Sequence, residues 1–415
     1  MRRNLLLTAI LAVFIVTAAS AQRQVNEADG YRLLVAPDRA DGSYGRGDEV
    51  RFLVSFEKGG APVSDGELTW EVTKDSWNPK TSGVVRVSDG QAVIGGHKLD
   101  EPGFLQCRVK FVTPQGHELR AMAGAGVDKL LIEPSAPEPQ DCMSEWKREL
   151  KKQAKIPMNI RLTPAPSTDP GIAVFDVQAD CEPGRFSAYG YPKDAKPGTL
   201  PAMVTLNGAG VKSSRAWWAV SWAKDGMCVL DFNVHGLPNG EPDSYYAELE
   251  NGPMFEYFRF GQDDRDSIFF HEMIMRLIRA IDVITAQPQW DGKTVMVHGC
   301  SQGGAQAVMA GCLDPRVDLV CAEIPAMCDQ TGILADRTFG WPLTVEFAEK
   351  GTIDTRQMKA ARYYDVVNFA RHVTVPAYVT AGIIDSLCPP TTVYAMYNQL
   401  KGEKPCSNIL LRVIS

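Results

Sequence analysis

Gly299-Cys300-Ser301-Gln302-Gly303 constrains this 415-residue chain more than any other stretch. An apolar run, Val295-Met296-Val297-His298, precedes it, and a small-residue run from Gly304 to Ala310 follows it. The pattern predicts a strand, a sharp turn and a helix. In that setting G-x-S-x-G forms a nucleophile elbow, whose glycines let the chain reverse and lift a serine hydroxyl above a sheet. Gly299 and Gly303 are then the elbow glycines and Ser301 the candidate nucleophile. The five residues alone would be a weak signal, because Gly and Ser populate ordinary turns. The strand before them and the helix after them supply the weight.

The surrounding pattern agrees with a sheet of that kind. Beyond Pro201, apolar runs predict buried strands at Ala202–Leu206, Met227–Phe232, Val295–His298, Leu319–Glu323, Val375–Ala381 and Ile409–Ile414. Between them, Phe270, Met273, Ile274, Leu277, Ile278 and Ile281 recur at helical spacing and predict a crossover helix over 269–286. Alternating strands and helices predict a mostly parallel, doubly wound sheet covered on both faces. Upstream, residues 30–130 read differently. Short strands such as Glu49–Phe56, Leu68–Val72, Val84–Val87 and Phe104–Phe111 are separated by turn signals, which predicts an all-β, Ig-like sandwich. Pro134-Ser135-Ala136-Pro137-Glu138-Pro139 reads as a linker, and a spacer role is the expectation for the β domain, where Trp70 and Trp77 suit a core better than a glycan platform. Asp141 then caps a helix whose Trp146, Leu150 and Ala154 share one face, opposite a solvated basic face. The domain expectation is therefore a leader over 1–21, a β-sandwich over 22–133 and an α/β domain over 134–415.

The leader reads as a secretory signal peptide, with a transmembrane anchor as the alternative that its short apolar segment disfavours: Arg2 and Arg3, an apolar segment from Leu5 to Ala18, and a small-residue cleavage site at Ala19-Ser20-Ala21. This predicts a secreted or periplasmic protein with no membrane attachment after cleavage. A net charge of −7 and the lack of a long basic run argue against nucleic acid. Export combined with ten cysteines raises the question of disulfides. The spacing has no C-x-x-C, and Cys228 and Cys321 sit inside apolar runs, as small core residues do. A pair such as Cys312 with Cys328 stays open. His271-Glu272 lacks the second histidine of the zinc helix, so no metal site is expected.

An α/β-hydrolase triad runs in the order serine, acid, histidine. After the strand Val375–Ala381 the loop Gly382-Ile383-Ile384-Asp385-Ser386-Leu387-Cys388-Pro389-Pro390 offers Asp385 as the acid. A turn or helix-cap aspartate is the alternative reading there.

Several ordered motifs sharpen this. The acid segment from Gly382 to Asn398, the stretch Tyr363-Tyr364-Asp365-Val366-Val367-Asn368-Phe369-Ala370, the elbow His298 to Gly304 and the opening helix Asp141 to Trp146 together resemble the acetyl xylan esterase / cephalosporin C deacetylase family over about 135–415. The resemblance implies an exported serine esterase that releases acetate from xylan-type sugars through an acyl-enzyme, without metal or organic cofactor, on an acetylated oligosaccharide or small ester. It implies an oxyanion hole built from the backbone N–H groups of Gln302 and Ala209. Ala209 stands where the family has a tyrosine, so a roomier pocket is expected. Ring-forming relatives suggest a homo-oligomer.

One departure matters. The family places its histidine after the last strand, and none of His97, His117, His235, His271, His298 and His372 follows Asp385. His235, behind the C-terminal end of a strand, is a weak substitute base at the site rim. The expectation is a truncated copy whose missing tail carries the histidine. The competing readings are a peptidase or other ester hydrolase on the same fold, and a carbohydrate-binding pseudoenzyme.

Overall fold

The computed structural model describes residues 26–181, 185–342, 345, 347–348, 352–353, 355–403 and 410–411. The signal-peptide reading of 1–21 lies outside the described residues. Among those described, no helix is long and apolar enough to cross a membrane.

The N-terminal region is all-β. Its strands follow one hydrogen-bonded path: Asn26–Ala28, Tyr31–Pro37, Val50–Lys58, Gln91–His97, Trp77–Ser88, Asp65–Lys74, Gly103–Val112, Glu118–Val127 and Ser43–Tyr44. The path narrows where Ser88 pairs with Gln91. The two halves fold over one another about that link. Alternating Val50, Phe52, Val54 and Phe56 from one half meet Leu68, Val72, Val109, Leu119 and Ala121 from the other in a shared core. The sandwich expected from the turn spacing is thus the observed layering. Trp70 is half-buried and packs against this core.

The C-terminal region is built on a second sheet. The sheet strands and the helices used below are, in chain order, α1 (Cys142–Gln153), β1 (Arg161–Ala165), β2 (Ile172–Ala179), β3 (Arg185–Pro192), β4 (Leu200–Leu206), α2 (Ala216–Lys224), β5 (Cys228–Phe232), α3 (Phe269–Thr285), β6 (Trp290–Cys300), α4 (Gln302–Leu313), β7 (Leu319–Glu323), β8 (Ala377–Ala381), α5 (Pro390–Tyr397) and β9 (Leu410–Leu411). The spatial order is β1-β2-β3-β5-β4-β6-β7-β8-β9. The three strands β1 to β3 are antiparallel and were not anticipated; the rest are parallel. Residue alternation feeds two cores. Val204, Leu230, Val297 and Val320 face α3, α4 and α5, whereas Met203, Val229, Met296 and Cys321 face α2. This is the doubly wound arrangement.

Two local expectations need correcting. Asp141 does not cap α1 with its side chain. Its carboxylate instead accepts from Tyr363 Oη at 2.6 Å and Arg265 Nη1 at 3.1 Å, tying the helix start to two distant loops. Ala154 is exposed, and Gln153 takes the buried position, donating to Met275 O at 2.6 Å. The cysteines behave as read: Cys228 and Cys321 are buried free thiols, and Cys312 and Cys328 are unpaired as well.

The segment 134–139 is no flexible tether. Ser135 donates its N–H and Oγ–H to Asp329 Oδ1 at 2.8 and 2.6 Å, and Arg362 donates to Pro137 O at 2.7 Å. The β domain is equally fastened. Phe104 and Ile132 belong to the core of the α/β domain, and Asn398 Nδ2 donates to Lys129 O and Ile132 O at 3.1 and 2.9 Å. These contacts pack the β domain on the α/β domain and go beyond a tether between them. Phe270, fully buried on α3, tests the larger core. Phe270→Ala should lower unfolding free energy by about 3–5 kcal/mol, read from the shift of the urea midpoint at constant slope.

Candidate active site

The parallel strands deliver the candidate residues to one edge. β4 and β6 are neighbours, and Leu206 pairs with Gly299. The turn after β4 and the elbow after β6 therefore emerge side by side, at the carboxyl ends where open α/β sheets bind ligands.

Ser301 sits at φ 58 and ψ −119, a conformation costly for a residue with a side chain. Close packing holds it there. A Cβ on Gly299 would lie 2.4 Å from the Gly303 carbonyl, and one on Gly303 would lie 2.1 Å from the Leu206 carbonyl oxygen. Only glycine lets α4 approach β4 and β6 this closely. Ser301 N–H donates to Glu323 O at 2.9 Å, and Ser301 O accepts from Ala305 N–H and Ala326 N–H, both at 3.0 Å. The turn Asn207-Gly208-Ala209 lies against the same residue: a Cβ on Gly208 would be 3.9 Å from Ser301 Cβ.

That turn is braced by residues that pattern reading missed. Asp231, fully buried on β5, accepts from Thr205 Oγ1 at 2.6 Å, Asn207 Nδ2 at 3.1 Å, Arg215 N at 2.6 Å and Arg215 Nη2 at 3.2 Å. A charge inside the apolar run Cys228-Val229-Leu230-Asp231-Phe232 was the available signal, since such a charge requires partners. Tyr257 Oη accepts from Gly210 N–H at 3.2 Å and donates to Gln302 Oε1 at 2.8 Å. It links the segment carrying Ala209 to the residue after Ser301. Nothing in the local sequence marks it.

Asp385 arrives from the loop after β8 and is buried. Its Oδ1 accepts from Leu387 N–H at 2.8 Å and Cys388 N–H at 2.9 Å, while Oδ2 bonds no described residue. Burial raises the carboxyl above the ordinary aspartate range, opposed by those two amide bonds. Cys388 closes the circuit: its Sγ lies 3.9 Å from Ser301 Oγ. Burial pushes the Cys388 thiol up to about 12, so it stays protonated beside the serine. The structure thus brings Ser301, Gln302, the Ala209 turn and the Asp385 loop together.

None of the six histidines bonds Ser301 or Asp385. His97 packs edge-on to Trp70, and His117 Nδ1 bonds Asp29 at 2.9 Å. His271 stacks on Trp146, His298 Nε2 meets Glu323 Oε1 at 3.3 Å, and His372 Nε2 meets Glu138 at 3.0 Å. His235 is buried rather than at the rim. Its Nε2 lies 3.1 Å from Gly210 O, and its ring packs against Tyr257 and Phe269. It braces the turn and does not bond Ser301. Among the described residues no cluster of His, Cys, Asp and Glu could hold a metal ion.

The acetyl xylan esterase family model matches residues 129–409. The chain belongs to this family. Acetyl esterase Axe7A of Xylanibacter ruminicola is 33% identical over 409 residues, covering 97% of this chain and 91% of its own, so the similarity extends through the N-terminal β region. Acetyl xylan esterases from Paenibacillus sp. R4 and Thermoanaerobacterium sp. JW/SL YS485 share the fold, with TM-scores of 0.56 and 0.55. They are 24% and 20% identical, over 66% of this chain and 89% of each of theirs. Membership makes the chain a carbohydrate esterase of the α/β-hydrolase class.

His235 offers a test of the bracing. Burial lowers its pKa to about 4, well under the unfolded value near 6.5. The unfolded chain therefore binds the extra proton first, and stability is lost as pH falls from about 6.5 toward 4. His235→Gln should remove about 2 kcal/mol of the difference in unfolding free energy between pH 7 and pH 5, measured by urea titration at both.

Proposed function

We propose that this esterase is exported and hydrolyses acetyl esters on xylan-type sugars through a covalent intermediate on Ser301. Ser301 Oγ attacks the acetyl carbonyl, the sugar hydroxyl departs, and water then frees acetate. Backbone N–H groups of Gln302 and Ala209 carry the developing oxyanion, each worth about 3–4 kcal/mol. Turnover requires an imidazole to take the serine proton and pass it to the departing sugar oxygen, a place that none of His97, His117, His235, His271, His298 and His372 fills. Asp385 Oδ2, the oxygen its own loop does not use, is the atom that would orient such an imidazole. The leader-like residues 1–21 support export, and the acetyl-ester substrate follows the family and the named relatives.

The observation that carries this reading is the contact of Ser301 Oγ with Cys388 Sγ at 3.9 Å, since the N–H of that same Cys388 is held by Asp385. It supports pairing the strained serine with the loop that carries Asp385. A second reading, a glycan-binding protein without turnover, is favoured by one observation: no described histidine bonds Ser301. Ser301→Ala should lower kcat for acetate release from 4-nitrophenyl acetate by at least about 10³-fold. Turnover within tenfold of the parent would remove Ser301 from the mechanism. Absence of turnover in the parent, with a fluorophosphonate leaving Ser301 unmodified, would favour the binding protein.

A further inference from the structure

The loop bearing Asp385 is not held by its own domain alone. Gln106, buried on the strand Gly103–Val112 of the β domain, donates from Nε2 to Ile383 O at 2.8 Å. Beside it, Gly124 receives the Ile383 side chain so closely that a Cβ there would lie 1.9 Å from Ile383 Cγ2. These contacts hold the loop two residues before Asp385.

The far end is held as firmly. Asp75 is buried at the turn between two β-domain strands. Its Oδ1 accepts from Phe104 N–H at 2.7 Å and also from Thr391 Oγ1 on α5. Thr338 N–H donates to Asp75 O at 3.3 Å, and the rings of Phe104 and Tyr394 lie 5.3 Å apart. The β domain thus grips residues 383 and 391, on either side of the acid.

Within the grip the acid has little freedom. Asp385 Oδ1 bonds the amides of Leu387 and Cys388, and Leu387 O accepts from Trp341 N–H at 2.8 Å. The carboxylate is fixed to its loop, and the loop is fixed to the β domain. A buried polar group such as Asp75 costs stability unless paired, so its pairing across the domain boundary makes that contact specific.

From this we infer that the N-terminal β domain is a working part of the active site. Gln106 and the Asp75–Thr391 pair are positioning residues that set Asp385 against Ser301. The inference rests on the acid role given to Asp385 above. Small misplacement of a catalytic group costs up to about 10²-fold, so losing either anchor should be felt in turnover rather than in substrate binding.

The test uses the full chain and three single variants. Gln106→Met keeps length and removes the donor. Thr391→Val keeps volume and removes the hydroxyl, while Thr391→Ser keeps the hydroxyl. Two readouts are taken: kcat, KM and the pH profile on 4-nitrophenyl acetate, and deuterium exchange of the amides over 382–391. Gln106→Met and Thr391→Val should lower kcat about 10- to 100-fold with KM within twofold. In a parent whose turnover shows the acidic limb of an imidazole, that limb should move to lower pH, because an imidazole that loses its carboxylate partner binds a proton less well. Exchange over 382–391 should rise in both, and Thr391→Ser should restore both readouts. A mere loss of fold would not move the limb. Exchange unchanged in both variants overturns the inference even where turnover is low, as does unchanged kcat in an active parent. A Ser301→Ala protein that still turns over would instead overturn the reading of the site and leave the exchange result to decide the anchoring.

Discussion

The contact of the Gly303 backbone with the Leu206 carbonyl oxygen is the constraint on which the rest depends. It brings the N-terminus of α4 onto the ends of β4 and β6, at a distance that admits no Cβ. Ser301 is left no relaxed conformation and stands at φ 58. Strain of this kind persists only where the surroundings over-determine it. Here the Glu323 carbonyl and the amides of Ala305 and Ala326 all bond the serine backbone. The same approach sets the Asn207–Ala209 turn beside the hydroxyl. One packing event therefore sets both the strained Ser301 and the turn beside it, the pair proposed above as nucleophile and oxyanion donors.

A second layer keeps those pieces from drifting. Asp231, Tyr257 and His235 fasten the turn after β4 with directional contacts, buried for Asp231 and part-buried for Tyr257 and His235. Such contacts among polar groups in a low-dielectric interior rigidify a site. On the opposite side the acid loop lies between the elbow and the β domain. On the inference drawn above, the all-β region thereby takes part in the site; the similarity to Axe7A runs across nearly the whole chain.

What was readable in the sequence was what depends on short periods and short motifs. The strand and turn of Val295–Gly303, the helical spacing of Phe270 to Ile281 and the loop position of Asp385 all express local pattern. The two-layered β region was legible from turn spacing for the same reason. The antiparallel strand β1 was not, because Arg161–Ala165 is largely exposed and contains Pro164, with little apolar rhythm to betray it; the alternating Ile172–Ala179 of β2 carries a strand signal that the reading above does not use. Asp141 was misread because a capping aspartate and an ion-pairing one look alike until Arg265 and Tyr363 arrive from elsewhere. Gln106, Asp75 and Tyr257 act across separations of 45 to 316 residues, and no window along the chain contains both partners.

Trapping the intermediate tests the central claim most directly. The full chain is mixed with 4-nitrophenyl acetate, quenched in acid during turnover, digested and examined by mass spectrometry. The account predicts a single acetyl group on the peptide containing Ser301. Acetate release with that peptide unmodified, or with the acetyl group on another residue, would contradict it.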